Sequence, residues 1–191
     1  IEAALSNPNI EHIYGALNGI EGILNKNIID FRNEDLDNIQ LLKNTPSSIL
    51  GSVRFKLNDY TIDENVYKEI VCVLKDYNIG YFFYIGGNDS MDTCNKINEY
   101  FKYINFDCKV VGVPKTIDND LVLTDHAPGY GSSIKYIATT IAEIYQDTSA
   151  YTTGRVTIVE IMGRDAGWLA AGSKLASLVN CGPDLIYCRL N

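Results

Sequence analysis

No run of lysine or arginine occurs anywhere in the chain, and the 16 basic residues are outnumbered by 24 acidic ones, giving a formal charge of −8. A polypeptide of that balance has no stripe with which to track a nucleic-acid backbone or an anionic lipid surface, so neither partner is expected. The five cysteines, Cys72, Cys94, Cys108, Cys181 and Cys188, are odd in number and lack any C-x-x-C spacing. That pattern suggests neither a disulfide framework nor a zinc site, and fits a reducing cytosol. No apolar run approaches the ~18 residues of a membrane span, and the start lacks the plan of a signal peptide. No stretch rich in proline, glycine or serine divides the 191 residues, so one compact unit is expected. The chain opens on Ile1 with no initiator methionine, which reads as a segment of a longer protein.

What is present is an ordinary globular balance, 46% apolar and 21% charged. From about Asp63 the pattern alternates between helical periodicity and short apolar runs, as β-α-β units with a parallel sheet require. Thr61 and Glu64 have the spacing of a capping box, followed by Val66, Ile70, Val73, Leu74 and Tyr77 on one helical face. The run 79–85 is too continuously apolar for a half-exposed strand and suits a sheet covered on both faces. A second helix is expected through Met91, Cys94, Ile97 and Phe101, then a strand over 109–113 ended by Pro114. A long loop to Gly131, a helix through Ile134 to Tyr145, a strand over 156–162, a helix over about 166–179 and a strand over 184–188 complete the pattern. Before residue 60 the signals are weaker, with a strand over 12–16 and a short helix over 35–43. Neither His12 nor His126 sits in an arrangement suited to nucleophilic catalysis.

Four stretches carry candidate chemistry. In Gly86-Gly87-Asn88-Asp89-Ser90, glycines let a backbone approach a phosphate while the next helix aims N–H groups and its positive end at it. The same residues also read as a plain strand-to-helix turn capped by Asp89 or Ser90. Lys115-Thr116-Ile117-Asp118-Asn119-Asp120 puts a cation, a hydroxyl and two carboxylates just past a strand. It suits a general base with an orienting or metal-binding partner, or else a turn whose side chains satisfy local backbone. Arg155 enters the run 156–162 and Met162-Gly163-Arg164 leaves it, and Arg54 lies in Gly51-Ser52-Val53-Arg54-Phe55. Each arginine fits a phosphoryl group with its fork of donors or, taken singly, a surface ion pair. Because the first three stretches follow successive strands, they are expected on one edge of one sheet, where loops at the carboxyl ends of strands bind ligands. That arrangement suits phosphoryl transfer.

The segments GGNDSMDT from Gly86, VGVPKTIDNDL from Val111, TDHAPGYGS from Thr124 and VTIVEIMGRDAGW from Val156 resemble the phosphofructokinase family, in that family's order and over nearly the whole chain. The resemblance implies an α/β, Rossmann-like three-layer sandwich with a mostly parallel sheet. It also implies transfer of a phosphoryl group to the 1-hydroxyl of fructose 6-phosphate, with Mg²⁺ as cofactor. Carried over by position, Asp118 is the base toward the sugar hydroxyl, and Thr116, Ile117, Met162 and Gly163 contact the sugar. Arg164 and Arg54 stabilise the moving phosphoryl group. Arg155 matches an arginine that reaches a neighbouring subunit's sugar phosphate, which implies a homo-oligomer.

Gly86, Gly87, Asp89, Ser90 and Lys115 fall at the phosphoryl donor. ATP-using members generally have glycine where this chain has Asp89, and many have glycine where it has Lys115, so the pairing resembles the pyrophosphate-dependent subfamily. A carboxylate takes the room and adds charge where a nucleotide's α-phosphate would lie, while lysine adds a cation for the compact donor. Asn88 stands where the family usually has aspartate, and a neutral amide oxygen is a weaker ligand for Mg²⁺. The family's opening strand with its own glycine-rich turn, and its later half, have no counterpart in residues 1–191, so this segment alone is expected to be inactive. An ATP-dependent phosphofructokinase and a non-catalytic regulatory subunit of the same fold are the alternatives. Lipid and dinucleotide kinases share the Gly-Gly turn but not PKTIDND with MGR.

Overall fold

Asp63 starts the first long helix. Its carboxylate accepts a hydrogen bond from the Asn65 N–H at 3.3 Å, and α4 runs over Glu64–Asp76. The capping box expected at Thr61 does not form, because Asp59 claims both the Thr61 hydroxyl (2.7 Å) and its backbone N–H (2.9 Å). That local turn leaves the next carboxylate along to serve as cap. In this computed structural model, which describes residues 1–188, six further helices accompany α4. They are α1 (Glu2–Leu5), α2 (Ile20–Leu24), α3 (Leu36–Leu41), α5 (Asn88–Tyr103), α6 (Tyr130–Ser149) and α7 (Trp168–Gly172). Four strands are β1 (Tyr14–Ala16), β2 (Ile28–Asp30), β3 (Tyr81–Gly86) and β4 (Lys109–Pro114).

The chain divides into two compact units, and each takes two stretches of sequence. The first comprises 1–84 with 92–111, and the second 85–91 with the residues from 112 on. In the first unit, β1 and β2 form an antiparallel pair in the register Tyr14 to Asp30 and Ala16 to Ile28. Its core joins Ile20 and Ile23 of α2, Tyr67, Ile70, Val73 and Leu74 of α4, Phe82 of β3, and Ile97, Tyr100 and Phe101 of α5. Burial at ~1.5–3 kcal/mol for each large side chain makes this cluster the main source of the unit's stability. Tyr67, 1% exposed, donates its hydroxyl to the Asn58 carbonyl at 2.6 Å, so its polar end is satisfied inside the core.

β3 and β4 lie side by side and parallel. The Lys109 N–H bonds the Gly80 carbonyl at 2.9 Å and the Lys115 N–H bonds the Gly86 carbonyl at 2.8 Å, so both strands advance together. Sequence periodicity predicts cover on both faces of β3. Instead, Phe82 and Gly86 are buried while Tyr81, Phe83 and Ile85 are 68%, 59% and 62% exposed. Among the described residues only the face bearing Phe82 is packed, against α4 and α5.

In the second unit α6 is the backbone of the packing, with α7 and the 3-10 helix Ser173–Val179 lying against it. Leu121, Ala127, Tyr130, Ile141, Leu169, Ala176 and Cys181 are its buried apolar groups. The single helix expected over about 166–179 is thus two pieces. Ser173 turns its hydroxyl back to the Ala170 carbonyl at 2.6 Å at the junction, a local bond that competes with regular helix. Asn180, at φ +59°, ends the second piece. The strands expected over 156–162 and 184–188 are not formed among the described residues. Val156 and Ile158 are more than 90% exposed, and an apolar run of strand composition without a ladder neighbour stays irregular.

Candidate functional site

The second unit holds the glycine-rich turn, the carboxylate loop and the Met162-Gly163-Arg164 stretch together. At the end of β3, Gly86 leaves no room for a side chain, since a Cβ there would collide with Ser90 Oγ and Cβ. The absence of that carbon lets the chain fold straight back into α5, whose first turn closes through Ser90 N–H and Met91 N–H to the Gly87 carbonyl, both 3.0 Å. Asn88 and Asp89 therefore open a 16-residue helix, where unsatisfied N–H groups and the helix dipole favour an anion.

The loop that follows β4 is fastened to this turn twice. The Lys115 N–H reaches the Gly86 carbonyl at 2.8 Å, and Asn88 Nδ2 donates to Asp120 Oδ2 at 3.0 Å. A carboxylate only accepts, so the amide nitrogen must be the end of Asn88 that faces it. Within the loop, the Asp118 N–H bonds Thr116 Oγ1 at 3.1 Å, and Asp118 is half-buried while Lys115 and Asp120 are exposed. Ile117 lies against Gly129, at the threshold of α6.

The third stretch joins through the start of α6, where Tyr130 donates its hydroxyl to the Trp168 carbonyl at 3.3 Å. Burial pushes the Tyr130 phenol above its ordinary pKa, so it is a neutral donor at physiological pH. Met162 is exposed and Gly163 buried. Gly163 has φ +135°, a conformation that side chains rarely adopt, and its carbonyl accepts from the Ala166 N–H at 3.0 Å. Arg164 follows, exposed and in a left-handed conformation at φ +48°. Arg155 is exposed, with its guanidinium 3.2 Å from the centre of the Tyr151 ring. Arg54 belongs to the first unit, in a stretch without regular secondary structure.

Among the described residues no group of three or more His, Cys, Asp or Glu side chains forms a ready-made metal cage. A magnesium ion does not need one, because it keeps several waters and is commonly held by one or two carboxylates plus substrate phosphates. Asp120, and the Asn88 amide oxygen that its bond to Asp120 leaves over, fit that sparse donor set. One residue stands out in the structure beyond its place in the sequence pattern. Asn119 is 8% exposed and bonds both the Ala127 N–H and the Asp125 carbonyl. The reading of 118–120 as a turn that satisfies local backbone applies to this residue, while the flanking carboxylates stay partly or fully accessible. Its signal in the sequence is an asparagine, the residue most tolerant of left-handed geometry after glycine, set between two aspartates.

The family model described as Phosphofructokinase matches residues 1–189. The pyrophosphate–fructose 6-phosphate 1-phosphotransferase of Methylococcus capsulatus is 41% identical over 180 residues, which cover 93% of this chain and 43% of that protein. An ATP-dependent 6-phosphofructokinase of Actinobacillus pleuropneumoniae is 35% identical over 177 residues, 93% of this chain and 50% of that one. Among solved structures, the pyrophosphate-dependent phosphofructokinase from Nitrosospira multiformis superposes with a TM-score of 0.85 at 41% identity, covering 92% of this chain and 44% of that one. The chain thus spans less than half the length of its pyrophosphate-dependent relatives.

Proposed function

Since the chain belongs to the phosphofructokinase family and has that family's fold, we propose that it is a segment of the catalytic core of a pyrophosphate-dependent phosphofructokinase. The reaction moves a phosphoryl group from pyrophosphate to the 1-hydroxyl of fructose 6-phosphate. The observation that carries this reading is the pair of bonds from the turn to the loop, Gly86 to Lys115 and Asn88 to Asp120. They set a helix N-terminus suited to a diphosphate beside a loop bearing a carboxylate suited to a proton. The names of the relatives favour this donor, with identities of 41–42% to pyrophosphate-dependent proteins against 35% to the ATP-dependent one.

In this reading pyrophosphate lies over the start of α5, met by the N–H groups after Gly86 and Gly87, by Ser90 and by the Lys115 ammonium. Asp89 fills the place of a nucleotide's α-phosphate and repels it. Thr116, Ile117, Met162 and Gly163 hold the sugar with its 1-hydroxyl toward Asp118. Asp118 takes the proton as that oxygen bonds to the terminal phosphorus, the bridging P–O bond breaks, and orthophosphate leaves. Arg164 and Arg54 offset the charge gathered on the transferring group. Asp120 and the Asn88 amide oxygen would hold Mg²⁺, which supplies charge neutralisation on the diphosphate oxygens. Arg155 serves the sugar phosphate of a second subunit in a homo-oligomer. A cytosolic enzyme accords with the lack, among the described residues, of a helix long and apolar enough to cross a membrane.

The test is an assay of the full-length protein on fructose 6-phosphate with pyrophosphate or ATP under matched Mg²⁺, beside its Asp118→Ser variant. Turnover is expected with pyrophosphate, and a fall of about 10²–10⁴-fold in kcat with donor binding retained is expected for the variant. Near-normal turnover by the variant would remove Asp118 from the role of base.

A further inference from the structure

Asn119 has its carboxamide inside the loop rather than toward a ligand. Its Oδ1 accepts the Ala127 N–H at 2.8 Å and its Nδ2 donates to the Asp125 carbonyl at 3.1 Å, with the residue 8% exposed. Both partners lie on the returning half of the loop. Ala127 is 2% exposed, and its own carbonyl accepts the Tyr130 N–H at 3.1 Å as α6 begins. One side chain therefore ties the outgoing half of the loop to the root of the longest helix in the second unit. The backbone of Asn119 is left-handed, φ +56°, with Asp118 on one side and Asp120 on the other. Asp120 is in turn held by Asn88 at 3.0 Å, and the backbone of Asp118 by Thr116 at 3.1 Å.

We infer that Asn119 is the positioning residue of the site, whose amide clamp sets the Asp118 carboxylate at its working distance from the substrate hydroxyl. The inference rests on the phosphoryl-transfer reading and adds to it a residue that touches neither substrate nor donor. The required chemistry is narrow: an acceptor for Ala127 N–H, a donor for the Asp125 carbonyl, and tolerance of positive φ. Aspartate meets the first and third but, as a carboxylate, brings no donor to the Asp125 carbonyl. Glycine meets only the third.

The test uses full-length enzyme carrying Asn119→Gly or Asn119→Asp. For Asn119→Gly a fall in kcat of about tenfold to a hundredfold is expected, because a displacement of ~1 Å at the reacting group is enough for that. KM for pyrophosphate should stay within about twofold, since the donor turn is held by its own bonds. For Asn119→Asp, which keeps the acceptor toward the Ala127 N–H and loses the donor toward the Asp125 carbonyl, kcat should also fall with KM for pyrophosphate again within about twofold, a split between kcat and KM that a general loosening of the fold would not produce. Wild-type turnover with kcat unchanged in both variants, or a fall in kcat matched by a comparable rise in KM for pyrophosphate, would overturn the inference while leaving the enzyme's reaction intact. Absence of wild-type turnover with either donor would overturn the functional reading, and this inference with it. Should Asn119→Gly fail to fold, the split between kcat and KM in Asn119→Asp decides alone.

Discussion

Asp89 is the second residue of α5, one position after the amide that holds Asp120. A carboxylate at the positive end of a helix strengthens that helix by about 0.3–1 kcal/mol, yet it stands where a donor's phosphates would gather. In the proposed enzyme the second effect decides, because two anions a few ångströms apart repel each other. Asp89→Gly is therefore expected to lower the ratio of kcat/KM for pyrophosphate over ATP by about tenfold or more, corresponding to ~1.4 kcal/mol of discrimination. Parallel assays with the two donors measure it, and an unchanged ratio would show that the charge at 89 does not select the donor.

At the scale of elements, the joint between β3 and α5 bears the most weight. Gly86→Ala puts a Cβ into Ser90, and relief requires the turn or the first helical residues to move. Overpacking of this kind costs about 1–3 kcal/mol. The displaced atoms include the carbonyl that receives Lys115, so a raised KM for pyrophosphate should accompany the lowered denaturation midpoint. A loss of stability with KM unchanged would mean that the loop does not follow the turn. This joint was legible in the sequence because glycine pairs after an apolar run have few other uses, and α4 and α5 were legible because their apolar residues repeat at helical spacing. The cap of α4 was not, since Thr61 and Asp63 both read as caps and only the folded turn shows Asp59 engaging Thr61 while Asp63 takes the Asn65 N–H. The run 156–162 carries strand composition but no strand, for a strand is a pairing and composition names no partner. The clamp at Asn119 also stayed hidden, because its value depends on bonds to Asp125 and Ala127 that a linear pattern does not contain.

At the scale of the whole molecule, two buried acids in the core of the first unit set its tolerance of alkali. Burial pushes the Cys108 thiol up to about 11, and burial with the nearby charge of Asp59 pushes the Tyr67 phenol up to about 12. Both are held neutral in the fold above the pH at which they ionise in an unfolded chain, near 8.5 and 10. Their contributions are fully present below those values and are lost as the pH rises toward 11 and 12. Tyr67→Phe removes the bond to the Asn58 carbonyl and should cost about 1–2 kcal/mol at neutral pH. The stability gap between wild type and Tyr67→Phe should then close as the pH climbs from about 10 to 12, because only the wild type still has that phenol to ionise. Urea titrations at stepped pH would measure this, and a constant gap would place the hydroxyl in contact with water.

The uncovered row of Tyr81, Phe83 and Ile85 on β3 has a consequence for handling the protein. Oily side chains on the open side of a strand, and an unladdered apolar stretch such as 156–162, are what neighbouring polypeptides adhere to. Residues 1–191 produced by themselves would clump and sediment, and stay dispersed only while some other surface shields that row.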